Sequence, residues 1–274
     1  MNDRLHTLND MDRLEVAHFF LCDPSELSAK LPVGKSDFTI ITQNINSIYC
    51  NFNDFLVTLA HFTFDIDIIV LTECRLNANK PLPHLQNYIS YYTGNQLNQN
   101  DGVVIYIRNN LKHNVKQIDL THASCLQVDV LDTIVLGIYR SPSNKNAEPF
   151  INSLSSHLSS ANWRGRVVVT GDININIRLR EAETSQNRKN RSSYLNMLAS
   201  FGILAGHSQI TRDTTSLDHM MLKINKKKET ATVAILETST TDHKSVLLCI
   251  SKIKIGPQPK KNKTKIDFEM PYYI

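Results

Sequence analysis

No stretch of this 274-residue chain approaches the ~18–20 consecutive apolar residues that cross a bilayer. Its first residues also lack the apolar core of a secretion signal. Together these absences predict a nuclear or cytoplasmic protein, not secreted and with no membrane partner. Cysteine is scarce: five residues, at 22, 50, 74, 125 and 249, with no C-x-x-C pair and an odd total. That excludes a disulfide framework and a spaced zinc site, and predicts reduced, mostly buried thiols. A surplus of one charge is missing from the body of the chain. Residues 1–250 hold 24 basic and 24 acidic side chains, so the net charge of +4 sits in the last 24 residues, on Lys252, Lys254, Lys260, Lys261, Lys263 and Lys265. Bulk charge therefore does not announce a nucleic-acid partner. Two local basic clusters, Arg188-Lys189-Asn190-Arg191 and Lys223 with Lys226-Lys227-Lys228, read as solvated loops.

What is present divides the chain in three. Residues 1–36 read as a leader or linker: seven acids fall between Asp3 and Asp37, and β-branched residues are few. Within it Leu14, Val16, Phe19, Phe20 and Leu21 predict a short helix near 10–22, ended by Pro24. Residues 37–252 form the globular domain. Apolar, β-rich runs recur there at 38–45, 66–72, 88–93, 103–108, 126–130, 134–139, 167–171, 219–222, 233–237 and 246–250. Ten strands exceed one ordinary sheet, so two packed sheets are expected. Helical periodicity marks 52–62, 147–158 and 192–201. The pattern predicts a sandwich with sheets inside and helices outside. Gly256-Pro257-Gln258-Pro259 marks the boundary to a Lys-rich tail over 253–274.

Chemistry gathers where polar residues end apolar strands. Six such places occur in order: Gln43-Asn44-Ile45-Asn46-Ser47, Thr72-Glu73, Tyr139-Arg140-Ser141-Pro142, Gly171-Asp172-Ile173-Asn174, Ser216-Leu217-Asp218-His219 and Thr241-Asp242-His243. Each alone reads as a solvated turn. As a set they place carboxylates, carboxamides and an imidazole at strand ends, where sites assemble in layered folds. Carboxylates such as Glu73 and Asp172 with amide oxygens suit a hard cation such as Mg²⁺. His243 is a candidate base or charge stabiliser, with Asp218 holding its tautomer. Metal, His–carboxylate pair and amide donors together suit phosphodiester hydrolysis.

These ordered motifs resemble the endonuclease/exonuclease/phosphatase superfamily over roughly 38–250. Within it, Ile138-Tyr139-Arg140-Ser141-Pro142-Ser143 followed by Gly171-Asp172-Ile173-Asn174-Ile175-Asn176 is similar to the apurinic-type endonuclease domain of non-LTR retrotransposons. The resemblance implies an α+β, deoxyribonuclease-like, four-layer α/β/β/α sandwich of two mostly antiparallel mixed sheets. It implies that Glu73 and Asn44 ligate the metal, with Asp242 near it through water. It gives Asp172 the attacking water, Asn174 the phosphate or that water, and Tyr139 a hydrogen bond to the phosphate. His243 contacts the scissile phosphate, buttressed by Asp218. Arg140, beside Tyr139, and Thr241 are expected at the substrate. Thr241 stands where Ser is usual and keeps the hydroxyl. Ile173 replaces a common Phe. Asn46 stands where base-excision repair relatives often carry an acid, which argues against a dedicated abasic-site repair enzyme.

The expected function is a Mg²⁺-dependent (or Mn²⁺-dependent) DNA endonuclease that nicks one strand of double-stranded DNA to prime reverse transcription, working with a reverse transcriptase module that this chain lacks. The alternatives are a phosphatase or lipid phosphodiesterase of the same superfamily, and an inactive DNA-binding remnant. The loop 210–215 and the 223–228 segment are candidates for sequence preference. His61, His84, His113, His122, His157 and His207 match no motif and are expected outside the site, and Trp163 is expected to pack near a turn.

Overall fold

The computed structural model describes residues 17–94, 98–160, 165–180, 182–225 and 227–252. Trp163, the 253–274 tail and the first part of the helix expected near 10–22 lie outside them. In chain order the elements are β1 (His18–Cys22), α1 (Leu27–Lys30), β2 (Phe38–Asn44), α2 (Ile48–Ala60), β3 (Ile68–Thr72), β4 (Tyr88–Tyr92), β5 (Val104–Arg108), β6 (His113–Leu120), β7 (Ala123–Val130), β8 (Thr133–Arg140), α3 (Glu148–Ser159), β9 (Arg166–Asp172), α4 (Ser185–Ser200), β10 (Leu204–Ala205), β11 (Asp218–Lys223), β12 (Glu229–Leu236) and β13 (Ser245–Lys252).

Two sheets result, in the orders β1-β12-β13-β2-β3-β5-β4 and β10-β11-β9-β8-β7-β6. Among the described residues only β1/β12, β2/β3 and β8/β9 pair in parallel. Side-chain alternation along each strand stacks them. In β2, Phe38 and Ile40 face the opposite sheet while Ile41 faces the helices. In β9, Val168 faces the opposite sheet while Val167 and Val169 face α3 and α4. Three cores follow. One lies between the sheets, one joins the first sheet to α1 and α2 through Leu27, Phe52 and Phe55, and one joins the second sheet to α3 and α4 through Phe150, Leu154 and Leu198. This is the expected α+β sandwich with helices outside. Each fully buried aliphatic or aromatic side chain contributes about 1.5–3 kcal/mol, which is why no cross-link is needed. All five cysteines are free and only Cys50 is exposed.

Two expectations are corrected here. Residues 18–22 are a strand, not the end of a helix: His18–Cys22 pairs in parallel with Thr232–Leu236, extending the first sheet from within the span read as a leader. Phe20 and Cys22 turn inward to the α1/α2 core, a period-two pattern that Phe19-Phe20-Leu21 hides. The Arg188–Arg191 cluster is not a loop. It lies in α4, which starts at Ser185 with Thr184 capping the Asn187 amide at 3.2 Å, and Arg191 is buried.

Gly171 fixes how β9 ends. Its φ is +122°, and a Cβ there would meet the Ile138 carbonyl oxygen at 2.0 Å. No side chain fits without parting β8 from β9. Gly171→Ala is expected to destabilise the protein by about 3 kcal/mol, read as a drop in urea midpoint with unchanged m-value.

Candidate active site

The same alternation that fills the core delivers polar groups into the cleft where the core ends. Phe38 and Ile40 share their face with Asn44. Val168 shares its face with Asp172, Met220 and Leu222 with Asp218, and Val135 with Tyr139. Asp172 and Asp218 are directly paired across β9 and β11. Two like charges set opposite each other oppose folding, so this register points to function rather than stability.

Loops complete the cleft under strain. Among the nine described non-glycine residues with positive φ, Asn46, Ser47, Glu73, Arg75 and Asn174 all lie within three residues of Asn44, Glu73 or Asp172. Such conformations cost about 1–3 kcal/mol each and cluster at working sites. Backbone bonds hold them: Ile45 N to Thr72 O at 3.0 Å, Ser47 N to Glu73 O at 2.9 Å and Ile48 N to Cys74 O at 3.0 Å. They tie the residues after β2 to those after β3 and set Glu73 beside Asn44.

Asn44 is the hub. Its Nδ2 donates to Glu73 Oε2 and to Asp172 Oδ2, both at 2.8 Å, and lies 3.4 Å from His243 Nε2. Its Oδ1 accepts from Asn46 N at 3.1 Å. His243 Nδ1 meets Asp218 Oδ2 at 2.8 Å, with both side chains buried. Asp172 Oδ1 accepts from Asn174 N at 3.2 Å. The structure thus brings together Asn44, Glu73, Asp172, Asn174, Asp218 and His243. Tyr139 faces the same cleft, and among the described residues its hydroxyl has no hydrogen-bond partner; burial and the nearby Glu73 and Asp172 carboxylates push its phenol up.

Three expected residues lie differently. Arg140 is buried, its Nη1 on the Asn174 carbonyl at 3.2 Å and its Nη2 on the Asn144 carbonyl. It braces the loop carrying Asn174 and does not reach outward for a phosphate. The Thr241 hydroxyl is engaged within the protein, donating to Asn44 O at 2.9 Å and accepting from His243 N at 3.1 Å. Asp242 is half exposed and pairs with Arg212 at 2.8 Å; among the described residues it forms no hydrogen bond with Asn44, Glu73 or Asp172. The six histidines without a motif stay outside this network, as expected.

Solved structures share this architecture. An endonuclease/exonuclease/phosphatase family protein from Leptotrichia buccalis superposes with a TM-score of 0.57 at 13% identity, covering 78% of this chain and 99% of that one. The endonuclease domain of TRAS1, a telomere-specific non-LTR retrotransposon, gives 0.55 at 11%, covering 78% and 98%. The catalytic domain of APE2 from Xenopus laevis gives 0.58 at 15%, covering 78% and 92%. The fold is that of the endonuclease/exonuclease/phosphatase proteins. No protein-family model and no curated protein matches the sequence.

On this endonuclease/exonuclease/phosphatase fold the cleft is short of positive charge. Burial, then the Asp218 carboxylate, push Asp172 well above the usual carboxylate range, despite the opposing pull of His243 and the Asn44 bond. Burial alone would lower His243, but the charge and hydrogen bond of Asp218, with Asp172, outweigh it and raise its pKa to about 9. Asp172, Asp218 and His243 present donor atoms within 4.8 Å of one another. An imidazolium already bonded to Asp218 is a poor ligand, however. The better fit for a divalent cation is the Glu73–Asp172 side. There one neutral amide holds two carboxylate oxygens, and turning the Asn44 amide replaces its donors by Oδ1. That set offers the hard oxygens Mg²⁺ takes.

The His243–Asp218 pair makes stability depend on pH. The folded pKa lies above the unfolded value of about 6.5, so the stabilisation is complete below about pH 6.5 and disappears as pH rises through about 9. In EDTA, melting curves of the wild type and His243→Gln are expected to differ most at acid pH and to converge in alkali. A gap that is constant with pH contradicts a charged His243.

Gln43 lies in the first motif, and its side chain supports the site although the sequence does not single it out. It is fully buried, and its Nε2 reaches Asn44 O at 2.7 Å and Thr241 Oγ1 and His243 O at 3.1 Å. The one available signal was its phase: Gln43 shares the helix-facing side of β2 with Ile41 and is polar where an apolar residue belongs. Arg212, which flanks Asp242, lies in the 210–215 loop already expected near the DNA, whereas Arg75, beside Glu73, carried no signal.

Proposed function

We propose that this chain is a Mg²⁺-dependent DNA endonuclease that hydrolyses one phosphodiester bond of double-stranded DNA. The observation that carries the proposal is the meeting of Asn44, Glu73 and Asp172 with the buried His243–Asp218 pair in one cleft at the ends of both sheets. Glu73 and Asn44 would hold the metal, whose positive charge stabilises the charge that develops on the phosphate. Asp172 orients a water and takes its proton, a role suited to a carboxylate whose pKa is raised. His243, kept cationic by Asp218, offers Nε2 to the phosphate oxygen. Tyr139 donates its unengaged hydroxyl to the phosphate, and Asn174 steadies the water. The cleft carries both carboxylates and a cation, so binding to DNA depends on added metal as well as on salt.

The nicked strand is proposed to keep a 3′-hydroxyl that primes reverse transcription by a reverse transcriptase module. The supporting points are the similarity of the 138–143 and 171–176 motifs to non-LTR retrotransposon endonucleases and the fold shared with one such domain. A nicked duplex made by the purified chain is expected to be extended directly by a DNA polymerase. Extension only after phosphatase treatment contradicts the priming role. Release of phosphate from small phosphorylated compounds without cutting duplex DNA would instead identify a phosphatase. Among the described residues no helix is long and apolar enough to cross a membrane.

A further inference from the structure

Arg191 lies in the middle of α4, buried against an equally buried Glu183. Nη1 alone carries that ion pair, and it also lies 3.5 Å from the Arg178 carbonyl. The second oxygen of Glu183 is buried without a partner, so the pair is held at a single point. Among the described residues nothing meets Nε or Nη2 of Arg191. These two nitrogens form the edge of a guanidinium that grips a carboxylate through two parallel N–H bonds.

Arg191 lines a cavity of about 320 Å³. The size falls within the range of small-molecule sites, about 300–1,000 Å³. Ile177, Leu195, Ile203 and Leu204 give it apolar walls, and the exposed Arg178 stands at its rim. Since Glu183 neutralises Arg191, Arg178 leaves the site with a net positive charge. Ser208 and Gln209 add polar groups to the lining, and apolar walls with one charged two-donor edge match a molecule that has an apolar body and a single acidic head. None of the residues around the cavity belongs to the cleft described above.

We propose that the cavity between α4, β10 and the 177–179 segment binds a small molecule with an apolar body and one carboxylate, which docks on Nε and Nη2 of Arg191. The site works independently of DNA cleavage. The probes are naphthoate and its neutral shape match naphthamide, titrated calorimetrically into the full chain. Naphthoate is expected to saturate with a Kd below about 1 mM, and naphthamide to bind at least tenfold more weakly. Ala199→Phe fills the cavity without touching the ion pair and is expected to weaken naphthoate at least tenfold. So is Arg191→Gln combined with Glu183→Gln, which removes the donor edge without stranding a buried carboxylate. Circular dichroism checks that both variants are folded. Failure of naphthoate to saturate, equal binding of naphthamide, or full binding by folded Ala199→Phe overturns the proposal. The comparison of the two probes on the unaltered chain decides it even where a variant does not fold.

Discussion

Replacing Asp172 with asparagine is expected to lower DNA nicking about 10³-fold while raising the melting temperature. The loss follows from removing the group that takes a proton from water, an effect of about 10²–10⁴. The gain follows from the same side chain's surroundings. Asp172 is buried, faces Asp218 across the strand pair and has a raised pKa. A carboxylate whose folded pKa is raised loses stability as pH climbs from its unfolded value, about 3.9, through the folded one. Asparagine keeps the shape, can accept from Asn44 through Oδ1 at the cost of the longer bond from Asn174 N, and carries no charge to desolvate. Above pH 7 in EDTA the variant should melt at least about 2–4 °C higher, the shift that 1 kcal/mol produces in a domain of this size. Scanning calorimetry with parallel nicking assays checks both halves. A variant that is inactive and less stable would mean that Asp172 serves the fold.

Asp218→Ala is expected to have the opposite effect on stability and a similar effect on rate. Asp218 supplies the one carboxylate bonded to His243, in a place where both are almost inaccessible to water. Removing one partner of a buried pair strands the other and costs about 3–5 kcal/mol. It also frees the imidazole to rotate and to lose its proton, so nicking should fall at least about 10²-fold. Combining Asp218→Ala with His243→Gln should restore part of the lost stability, because no uncompensated charge remains, and should restore no activity. Denaturant melts of the two single variants and the double variant give the coupling. Strict additivity of the stability losses contradicts the pairing.

The strands that position the site were legible because they are buried and alternate. In 38–45 and 167–171 β-branched and apolar residues lead into a polar strand end, Gln43-Asn44 in one and Gly171-Asp172 in the other, and that end is the site itself. An exposed strand was legible only where aromatic and β-branched residues marked it, as in β4. β6 reads His-Asn-Val-Lys-Gln-Ile-Asp-Leu, with Asn114, Lys116, Gln117 and Asp119 exposed at a sheet edge, and its apolar content is too thin to register. β1 failed for another reason: its parallel partner lies more than 200 residues away, so nothing local dictates the pairing.

Within the site, sequence reading could group residues but not aim them. Asn44, Asp172 and Asp218 meet because strand phase fixes their direction, while Glu73 and His243 are brought to them by the loops after β3 and before β13. Arg140 belongs to the same strand end but turns inward, because unsatisfied carbonyls at Asn144 and Asn174 come to it from two loops. Those loops meet only in the folded chain. Asp242 adjoins His243 yet points outward, and Arg212, which holds it there, lies 30 residues earlier. Position along a strand is a local property; the partners of a long side chain are not.

The central claim is that the cleft around Asn44, Glu73 and Asp172 cuts DNA with a bound metal. Supercoiled plasmid incubated with the purified chain tests it most directly, with EDTA and Glu73→Ala as the two controls. The account predicts conversion to open circles with Mg²⁺, none with EDTA, and at least about a hundredfold slower conversion by folded Glu73→Ala. Supercoiled plasmid left intact by folded wild-type protein in Mg²⁺, or cut equally fast by Glu73→Ala, would contradict it.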